Sequence, residues 1–459
     1  MKMNRRSFIS SSAAGIVAAS TPLKSMAVVG GANDRIVTAF IGVGGQGRFN
    51  LKEFMLMKDV SVAAVCDVWE HNRDLAAKLT DGQSSGRAKV FSDFRRVLDL
   101  KDVDVLVVST PDHWHALPTI LACQAGKDVY VEKPLAHNIY EGRKMVEAAR
   151  KHGRVVQMGT QQRSGKHYEE AFQKIRDGKI GKVSNVAAWN YGNESPFGIG
   201  NPPDGSPPPG LDWDMYLGAA PKVPFNSNRF ISHFRWFWDY AGGMMTDWGT
   251  HHIDSVHLAM NVKAPTAVSA AGAKYFLKDN RQTPDTLEVT YEYPGFVLTY
   301  SHHALNGRSH QSRSYGIEFY GTNATLFIDR GGYEIFPEAG ISDEEPTPPY
   351  LRQLKSEEKP AEPWEKNRAM RVGRTEFVRG DGSEQHISHV RNFLDCVKSR
   401  NKPHSDVEIG HFSTTASHLG NMALQVSRKL HWDPEKEEII ADPKANSLLR
   451  REYRRPWEV

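Results

Sequence analysis

Short apolar runs alternate with amphipathic helical stretches between residues 37 and 160. Continuous apolar runs of this length are typical of strands that are covered on both faces. Their alternation with helical patterns predicts a doubly wound parallel sheet. The predicted strands are residues 37–41, 61–66, 89–91, 103–109, 128–131 and 155–159.

After residue 160 the pattern changes to strict alternation of polar and apolar positions, seen most clearly in Thr286–Tyr293. Such alternation predicts an open, mostly antiparallel sheet with one face buried against helices. Further strands are predicted at residues 182–191, 296–302, 315–320 and 324–329, and helices at 167–177, 386–400 and 406–430.

A glycine-rich turn joins the first strand to the first predicted helix. Gly42, Gly44 and Gly47 would allow a tight turn, close approach of a pyrophosphate and close helix–strand contact. The helix would begin near Gln46 and point its unpaired N–H groups at phosphates. Asp67 lies twenty residues past Gly47, where a carboxylate binds the adenosine ribose and repels a 2′-phosphate. The turn therefore predicts a dinucleotide site that prefers NAD to NADP.

These patterns predict an α/β protein with an N-terminal Rossmann dinucleotide-binding domain and a C-terminal α+β domain, whose sheet is large, open and mostly antiparallel. The domains span residues 34–160 and 161–459. Residues 331–385 are poor in apolar positions and are interpreted as a surface excursion, and residues 406–459 as a C-terminal helix and tail. We interpret the arginine-rich end, residues 450–455, as a solvated tail or a subunit contact.

The first thirty residues predict a twin-arginine export signal. Arg5 and Arg6 precede a short apolar stretch, residues 13–19, and a Ser-Met-Ala cleavage site at residues 25–27. The stretch is too short for stable membrane insertion. A disordered basic tail is the alternative. We therefore expect the Tat machinery as a partner and a periplasmic location.

This amino terminus also accounts for the charge of the chain. Its four basic residues equal the formal net charge of +4, so the remainder is neutral and does not suggest nucleic acid as a partner. Because the twin-arginine route carries folded proteins, an exported enzyme would load NAD in the cytoplasm and retain it tightly.

Polar residues follow the predicted strands at the edge where ligands of parallel sheets bind. Thr110, Pro111 and His115 follow the fourth strand. The fifth strand is followed by Glu132-Lys133-Pro134, and the sixth by Thr160-Gln161-Gln162-Arg163. We expect these segments to lie beside the bound ligands.

A second group of polar residues lies far along the chain. If a helix begins near Thr246, Asp247 and His251 share one face. A carboxylate beside an imidazole sets its tautomer and raises its basicity, as a general base requires. A purely structural helix pair is one alternative. A metal site that adds His252 and Asp254 is disfavoured because the chain has no His-Glu-x-x-His spacing there, so no metal is expected.

The glycine turn, Asp67, Thr110-Pro111 with His115, and Glu132-Lys133-Pro134 together resemble the Gfo/Idh/MocA family of sugar and inositol oxidoreductases. The resemblance implies that Lys133 lies between nicotinamide and substrate. It implies that Lys133, Asp247 and His251 are catalytic, with His251 as the base. It also implies a homodimer or homotetramer formed through the exposed face of the second sheet. The implied cofactor-binding residues are Gly42, Gly44, Gln46, Gly47, Asp67, Thr110, Pro111, His115, Glu132, Lys133 and Gln161.

Substrate contacts are predicted next to this group. Trp213, Trp236 and Trp238 flank it, and aromatic faces stack on sugar rings. Of these we select Trp238, and we add Arg163 and His252 as polar contacts.

The sequence thus predicts an exported NAD(P)-dependent oxidoreductase that acts on a small carbohydrate. The first alternative is a glycoside hydrolase that works by transient C3 oxidation and elimination. The second is a non-catalytic periplasmic sugar-binding protein.

Overall fold

The computed structural model describes residues 35–83, 86–308, 313–338, 348 and 375–459. The predicted export signal, residues 1–30, lies outside the described residues. Residues Ile36–Val459 form one compact unit. No helix in the described part of the chain is both long and apolar enough to cross a bilayer.

The first sheet has six parallel strands in the order β3-β2-β1-β4-β5-β6. This confirms the predicted doubly wound sheet. Because the chain leaves β1 toward β2 on one side and later returns to β4 on the other, a crevice opens at the carboxyl ends of β1 and β4, where such sheets bind ligands. The strands are β1 Ile36–Ile41, β2 Val60–Cys66, β3 Lys89–Phe91, β4 Val105–Val108, β5 Asp128–Val131 and β6 Val156–Met158.

Helices cover both faces of this sheet, and one of them comes from far along the chain. Helix α10 packs Phe393 and Leu394 into a core with Phe54 and Tyr130. Part of the predicted second domain therefore completes the first layer. The helices are α1 Gly45–Met55, α2 Glu70–Leu79, α3 Phe94–Leu98, α4 Ala116–Gln124, α5 Ile139–Lys151 and α10 His386–Ser399.

The second sheet has ten strands in the order β14-β13-β12-β11-β7-β10-β9-β8-β15-β16. Strand β7 pairs with β10 in parallel, and the other pairs are antiparallel, as predicted. The strands are β7 Val183–Tyr191, β8 Ala267–Ala273, β9 Thr286–Tyr293, β10 Phe296–His303, β11 Tyr315–Gly321, β12 Ala324–Asp329, β13 Gly332–Pro337, β14 Val378–Asp381, β15 Leu430–Asp433 and β16 Glu438–Ile439.

One face of the second sheet is buried against helices. Leu298 and Phe319 of the sheet share a core with Phe172 of α6, Ile253 of α9 and Leu419 of α11. Fully burying side chains of this size contributes about 1.5–3 kcal/mol each. The helices are α6 Lys166–Arg176, α7 Trp213–Leu217, α8 Gly243–Asp247, α9 Gly249–Met260, α11 Val407–Val426 and α12 Pro443–Asn446.

Two sequence interpretations need correction here. The described ends of the predicted excursion, residues 331–385, contain strands β13 and β14 of the second sheet. The arginine-rich end is not a free solvated tail, because Arg451 donates hydrogen bonds to the buried Glu141 and to the carbonyl of His113, each at 2.9 Å, although Arg450 and Arg455 are exposed. Arg454 likewise donates to Asp214 at 2.9 Å. The tail is thus held by its own chain. A subunit contact through this end stays a prediction.

Candidate functional site

The glycine turn between β1 and α1 leaves no room for a side chain at Gly42 or Gly47. Gly42 has φ +78°, and a Cβ atom there would lie 2.6 Å from the Thr110 nitrogen. A Cβ atom on Gly47 would lie 1.9 Å from the Gly42 carbonyl oxygen. Helix α1 begins at Gly45, and its N-cap, Gly44, provides no side-chain cap. Its first N–H groups are therefore available to an anion.

Asp67 lies at the end of β2, beside this turn. Its carboxylate accepts hydrogen bonds from the backbone N–H groups of Val43 and Trp69, both at 2.9 Å, and from Asn72 at 3.3 Å. A carboxylate offers about four acceptor sites, so a ribose hydroxyl can still donate to it. Burial raises the pKa of Asp67, and these hydrogen bonds oppose that shift.

A cavity of about 300 Å³ extends from the glycine turn along the carboxyl ends of the strands. All of the predicted cofactor-binding residues line it except Gly47, His115 and Gln161. Residues 230–235 form part of the opposite wall, where Phe230 and Phe234 face the cavity. Lys133, Arg235 and Asp247 also line the cavity, and we call the part that they form its inner end; His251 and Arg330 do not line it.

The three exceptions pack against the residues that line the cavity or form hydrogen bonds with the neighbouring loops. Gly47 permits the close contact of α1 with the turn. The buried His115 lies between two loops, with Nδ1 2.7 Å from the Pro134 carbonyl oxygen and Nε2 2.9 Å from that of Thr110. Burial lowers the pKa of His115 to about 4. Gln161 donates to the hydroxyl of Tyr130 at 3.1 Å.

Glu132 connects the sheet to helix α1. Its Oε1 atom accepts hydrogen bonds from Asn50 at 2.9 Å and from Gln46 at 3.2 Å. Glu132 is buried, and burial raises its pKa although these hydrogen bonds oppose the shift. This link fixes the start of the loop that carries Lys133, whose bond to Pro134 is cis.

Lys133 and Asp247 form a short ion pair at the inner end of the cavity. The Lys133 ammonium donates to Asp247 Oδ1 and, at 3.2 Å, to the Asp247 carbonyl oxygen. Arg235 approaches the other carboxylate oxygen, with Nε 3.5 Å from Oδ2. Burial alone would raise the pKa of Asp247, but Arg235 and Lys133 outweigh burial and hold it below its ordinary range. Asp247 therefore stays ionised.

The expected pairing of Asp247 with His251 is not made. Helix α8 ends at Asp247 and α9 begins at Gly249, so no single helix starts near Thr246. Among the described residues no hydrogen bond joins Asp247 to His251, whose Nε2 lies instead 3.5 Å from Nη2 of Arg330. Burial, followed by Arg330 and Lys133, lowers the pKa of His251 well below its ordinary value. The imidazole is neutral, and Asp247 orients Lys133 rather than the ring.

None of the predicted substrate residues lines this cavity. Arg163 is used in a buried ion pair, donating to Asp254 at 2.6 Å. His252 is buried beside the rings of Trp248 and Tyr300, at centroid distances of 5.8 and 6.2 Å.

The tryptophans are also placed elsewhere. Trp238 lies on a separate cavity with Arg450 and Arg451. Trp236 packs in a core under the cationic side chain of Arg281, and Trp213 stacks on Tyr216. None of these three tryptophans lines the cavity beside the glycine turn, so none forms a platform for a sugar ring there.

Sequence reasoning missed three residues near the inner end. Asp112 follows β4 within a predicted ligand-side segment and lines the cavity with Lys133. Burial, reinforced by Asp247, raises the pKa of Asp112 to about 8, against the opposing effect of Lys133 and Arg235. No local motif marks Arg235 or Arg330, because each reaches the site only through the tertiary fold.

Family models match two segments of the chain. One, described as an oxidoreductase family with an NAD-binding Rossmann fold, matches residues 36–160. The other, described as an oxidoreductase-family C-terminal alpha/beta domain, matches residues 182–298 and 383–459.

Curated relatives match over part of their length. A glycosyl hydrolase family 109 protein of Shewanella pealeana is 28% identical over 204 residues, which are 40% of this chain and 45% of that protein. A glycosyl hydrolase family 109 protein 1 of Shewanella sp. strain MR-4 is 28% identical over 148 residues, or 31% and 32% of the two chains. Each match thus spans less than half of the relative.

Solved structures share the fold over nearly their whole length. The aldose–aldose oxidoreductase of Caulobacter crescentus, complexed with glycerol, has a TM-score of 0.61 and 17% identity, covering 86% of this chain and 99% of that one. The WlbA dehydrogenase of Bordetella pertussis, in complex with NADH and UDP-GlcNAcA, has a TM-score of 0.60 and 16% identity, covering 87% and 99%.

Proposed function

Because the chain belongs to the Gfo/Idh/MocA oxidoreductase family, we propose that it is an NAD-dependent oxidoreductase acting on a ring hydroxyl of a sugar or glycoside. One observation carries this proposal: a single cavity joins the glycine turn and Asp67 to the ion pair of Lys133 with Asp247. Relatives named as glycosyl hydrolases, and neighbours solved with glycerol or UDP-GlcNAcA, support a carbohydrate substrate.

The described residues fit a dinucleotide. The turn at Gly42 and Gly47 excludes side chains, and the uncapped start of α1 would hold a pyrophosphate. Asp67 would bind the adenosine ribose and repel a 2′-phosphate, so NAD is favoured over NADP. When bound, the nicotinamide supplies the acceptor for a hydride.

Lys133 and Asp247 at the inner end of the cavity, together with the nearby His251, would transfer the proton and stabilise the charge. As the carbinol carbon loses a hydride, its hydroxyl proton passes to the neutral imidazole of His251, and the C–O bond becomes a carbonyl. Lys133 donates a hydrogen bond to the oxygen and stabilises its developing negative charge. Asp247 holds the Lys133 ammonium in place for this contact.

The amino terminus sets the cellular context of the proposal. A twin-arginine signal in residues 1–30 would deliver the folded protein to the periplasm, where NAD must arrive already bound and be retained. The exposed face of the second sheet would form the contact of a homodimer or homotetramer.

The first test is the near-ultraviolet spectrum of the purified full chain without added NAD, before and after sugars and glycosides. We expect a reduced-nicotinamide band that responds to one sugar class. Lys133→Met should slow this response about a thousandfold, because a charge-stabilising donor is lost. Lys144→Met, at an exposed lysine of α5, is the control and should respond like the wild type. Absence of nucleotide after denaturation, or an unchanged rate in the Lys133 variant, would contradict the proposal.

A redox-neutral glycosidase is the second candidate, favoured by the names of the glycosyl hydrolase family 109 relatives. Oxidation at C3 would acidify the C2 hydrogen, and loss of that proton would expel the C1 substituent. Water would then add at C1, the C2 proton would return, and return of the hydride to C3 would complete net hydrolysis. Product analysis separates the candidates. A free keto-sugar supports the oxidoreductase, a released aglycone supports the hydrolase, and tight sugar binding without either product supports a binding protein.

A further inference from the structure

Cationic side chains outnumber ionised carboxylates around Asp247 and His251. Lys133 and Arg235 both approach Asp247, and Arg330 approaches the neighbouring His251 at 3.5 Å. Asp247 can balance only one of these three cations. The nearby carboxyl of Asp112 adds little charge near neutral pH, because burial raises its pKa to about 8. Two cations therefore remain without a counter-ion among the described residues.

Arg330 is held in place but poorly satisfied. It follows β12, and its guanidinium lies over the ring of Trp248, 4.8 Å from the centroid, at the start of α9. Its buried Nε has no hydrogen-bond partner, and no carboxylate of the described residues forms an ion pair with it. The adjacent Asp329 instead accepts a hydrogen bond from the Gly331 N–H at 2.7 Å. A half-buried guanidinium whose Nε is inaccessible and unsatisfied is destabilising unless a ligand pairs with it.

Arg235 shows the same deficit on the other side of Asp247. Its Nε is buried and makes no hydrogen bond, since the Asp247 oxygen is 3.5 Å away. The two arginines come from separate segments, a 3-10 turn at Ile231–Trp236 and the end of β12. Arg235 contacts Asp247 directly, whereas Arg330 contacts His251 and acts on Asp247 through its charge alone. This convergence points to a negatively charged group on the ligand.

We propose that the substrate is a sugar acid, a hexuronic acid or its glycoside, whose carboxylate is bound by Arg330 and Arg235 beside Lys133. This inference rests on the proposed function and names its substrate class. A guanidinium presents a planar fork of donors that matches a carboxylate through two parallel hydrogen bonds.

Binding of an acid would also affect the catalytic base. Arg330 is one of the causes, after burial, that lower the pKa of His251. A substrate carboxylate that pairs with Arg330 offsets this cation, so His251 becomes a better proton acceptor in the complex than in the free protein. A neutral sugar would lack this effect.

Calorimetric titration of the cofactor-loaded protein tests the inference. The probes are methyl glucuronide and methyl galacturonide, each compared with its neutral glucoside or galactoside. We expect each uronide to bind at least about tenfold more tightly, the ratio typical of one charge-assisted hydrogen bond. Equal binding of acid and neutral forms, or no binding of either uronide, overturns the inference.

Variants locate the preference. Arg330→Gln should remove most of the preference for the uronide, and Arg330→Lys should restore part of it by returning the charge. Where turnover is measurable, the loss should appear mainly in KM. The control is Arg379→Gln in the same sheet, because Arg379 is exposed and only loosely paired with Glu334. A preference that survives Arg330→Gln overturns the assignment.

The spectrum recorded in parallel separates the two proposals. If uronides bind preferentially and the nicotinamide band never changes, the substrate class stands and the proposed oxidoreductase function fails. If neutral glycosides change the band as well as uronides do, the function stands and the substrate class fails.

Discussion

The two ends of the cavity are built from different kinds of contact. We call the end proposed to bind the cofactor the cofactor end, and the end proposed for hydride transfer the reacting end. At the cofactor end, Gly42, Gly47 and Asp67 lie in or directly after the consecutive elements β1, α1 and β2 and act through backbone shape and short hydrogen bonds. At the reacting end, Lys133 and Asp247 are 114 residues apart and act through charge. Substitutions at the cofactor end should therefore act through steric clash, and substitutions at the reacting end through loss of a counter-ion.

The largest effect is expected from Asp247→Asn. Lys133 and Arg235 would lose their shared carboxylate while remaining partly buried, which should cost about 3 kcal/mol of unfolding free energy. Turnover should fall about a hundredfold, because the Lys133 ammonium loses the contact that positions it. Denaturant unfolding and single-turnover rates measure the two effects. Asp395→Asn, an exposed partner of Arg391, is the control and should change neither. Wild-type turnover in the Asp247 variant would show that the ion pair has no positioning role.

Gly47→Ala tests the cofactor end. The added methyl group would meet the Gly42 carbonyl oxygen at 1.9 Å, and moving α1 away should cost about 3 kcal/mol. Purified variant should release little nucleotide on denaturation. Gly45→Ala is the matched control, since a Cβ atom there has no neighbour within 4 Å. Equal stability of the two variants would refute the steric account of this turn.

The smallest effect concerns His252 and the loss of folding stability at acidic pH. Burial lowers the pKa of His252 to about 3, so protonation favours the unfolded chain. Its contribution is intact above about pH 6.5, the unfolded value, and is lost as pH falls toward 3. Between pH 7 and 5, protonation of this histidine in the unfolded chain should lower the free energy of unfolding by about 2 kcal/mol. His252→Leu should reduce the change in unfolding free energy between pH 7 and 5 by that amount. His431→Leu, at an exposed site, should leave this pH dependence unchanged. Parallel curves for wild type and His252→Leu would contradict this.

The positions of the residues around the glycine turn could be predicted almost completely from the sequence. Strand patterning, the spacing of the glycines and the distance to Asp67 are local properties, and consecutive parallel strands bring their carboxyl ends to one edge. The loops that carry Thr110 and Lys133 were placed correctly for the same reason. His115 and Gln161 were assigned to the right loops, but sequence could not show that they face inward behind the cavity.

The reacting end depended on information that spacing does not contain. Asp247 and His251 were identified, but the break between α8 and α9 turns Asp247 toward Lys133. Arg163, Trp238 and His252 lie outside this cavity, because residue type does not reveal which side of an element faces a cavity. Arg330 carries no motif and reaches His251 only because the fold brings the residue after β12 close to the start of α9.

The sequence by itself thus determined the order of strands and helices and the glycine turn, since each depends on residues close together in the chain. Only the tertiary structure decided which charges meet at the inner end of the cavity. Charge balance depends on distances between segments more than a hundred residues apart, and long-range packing alone sets those distances.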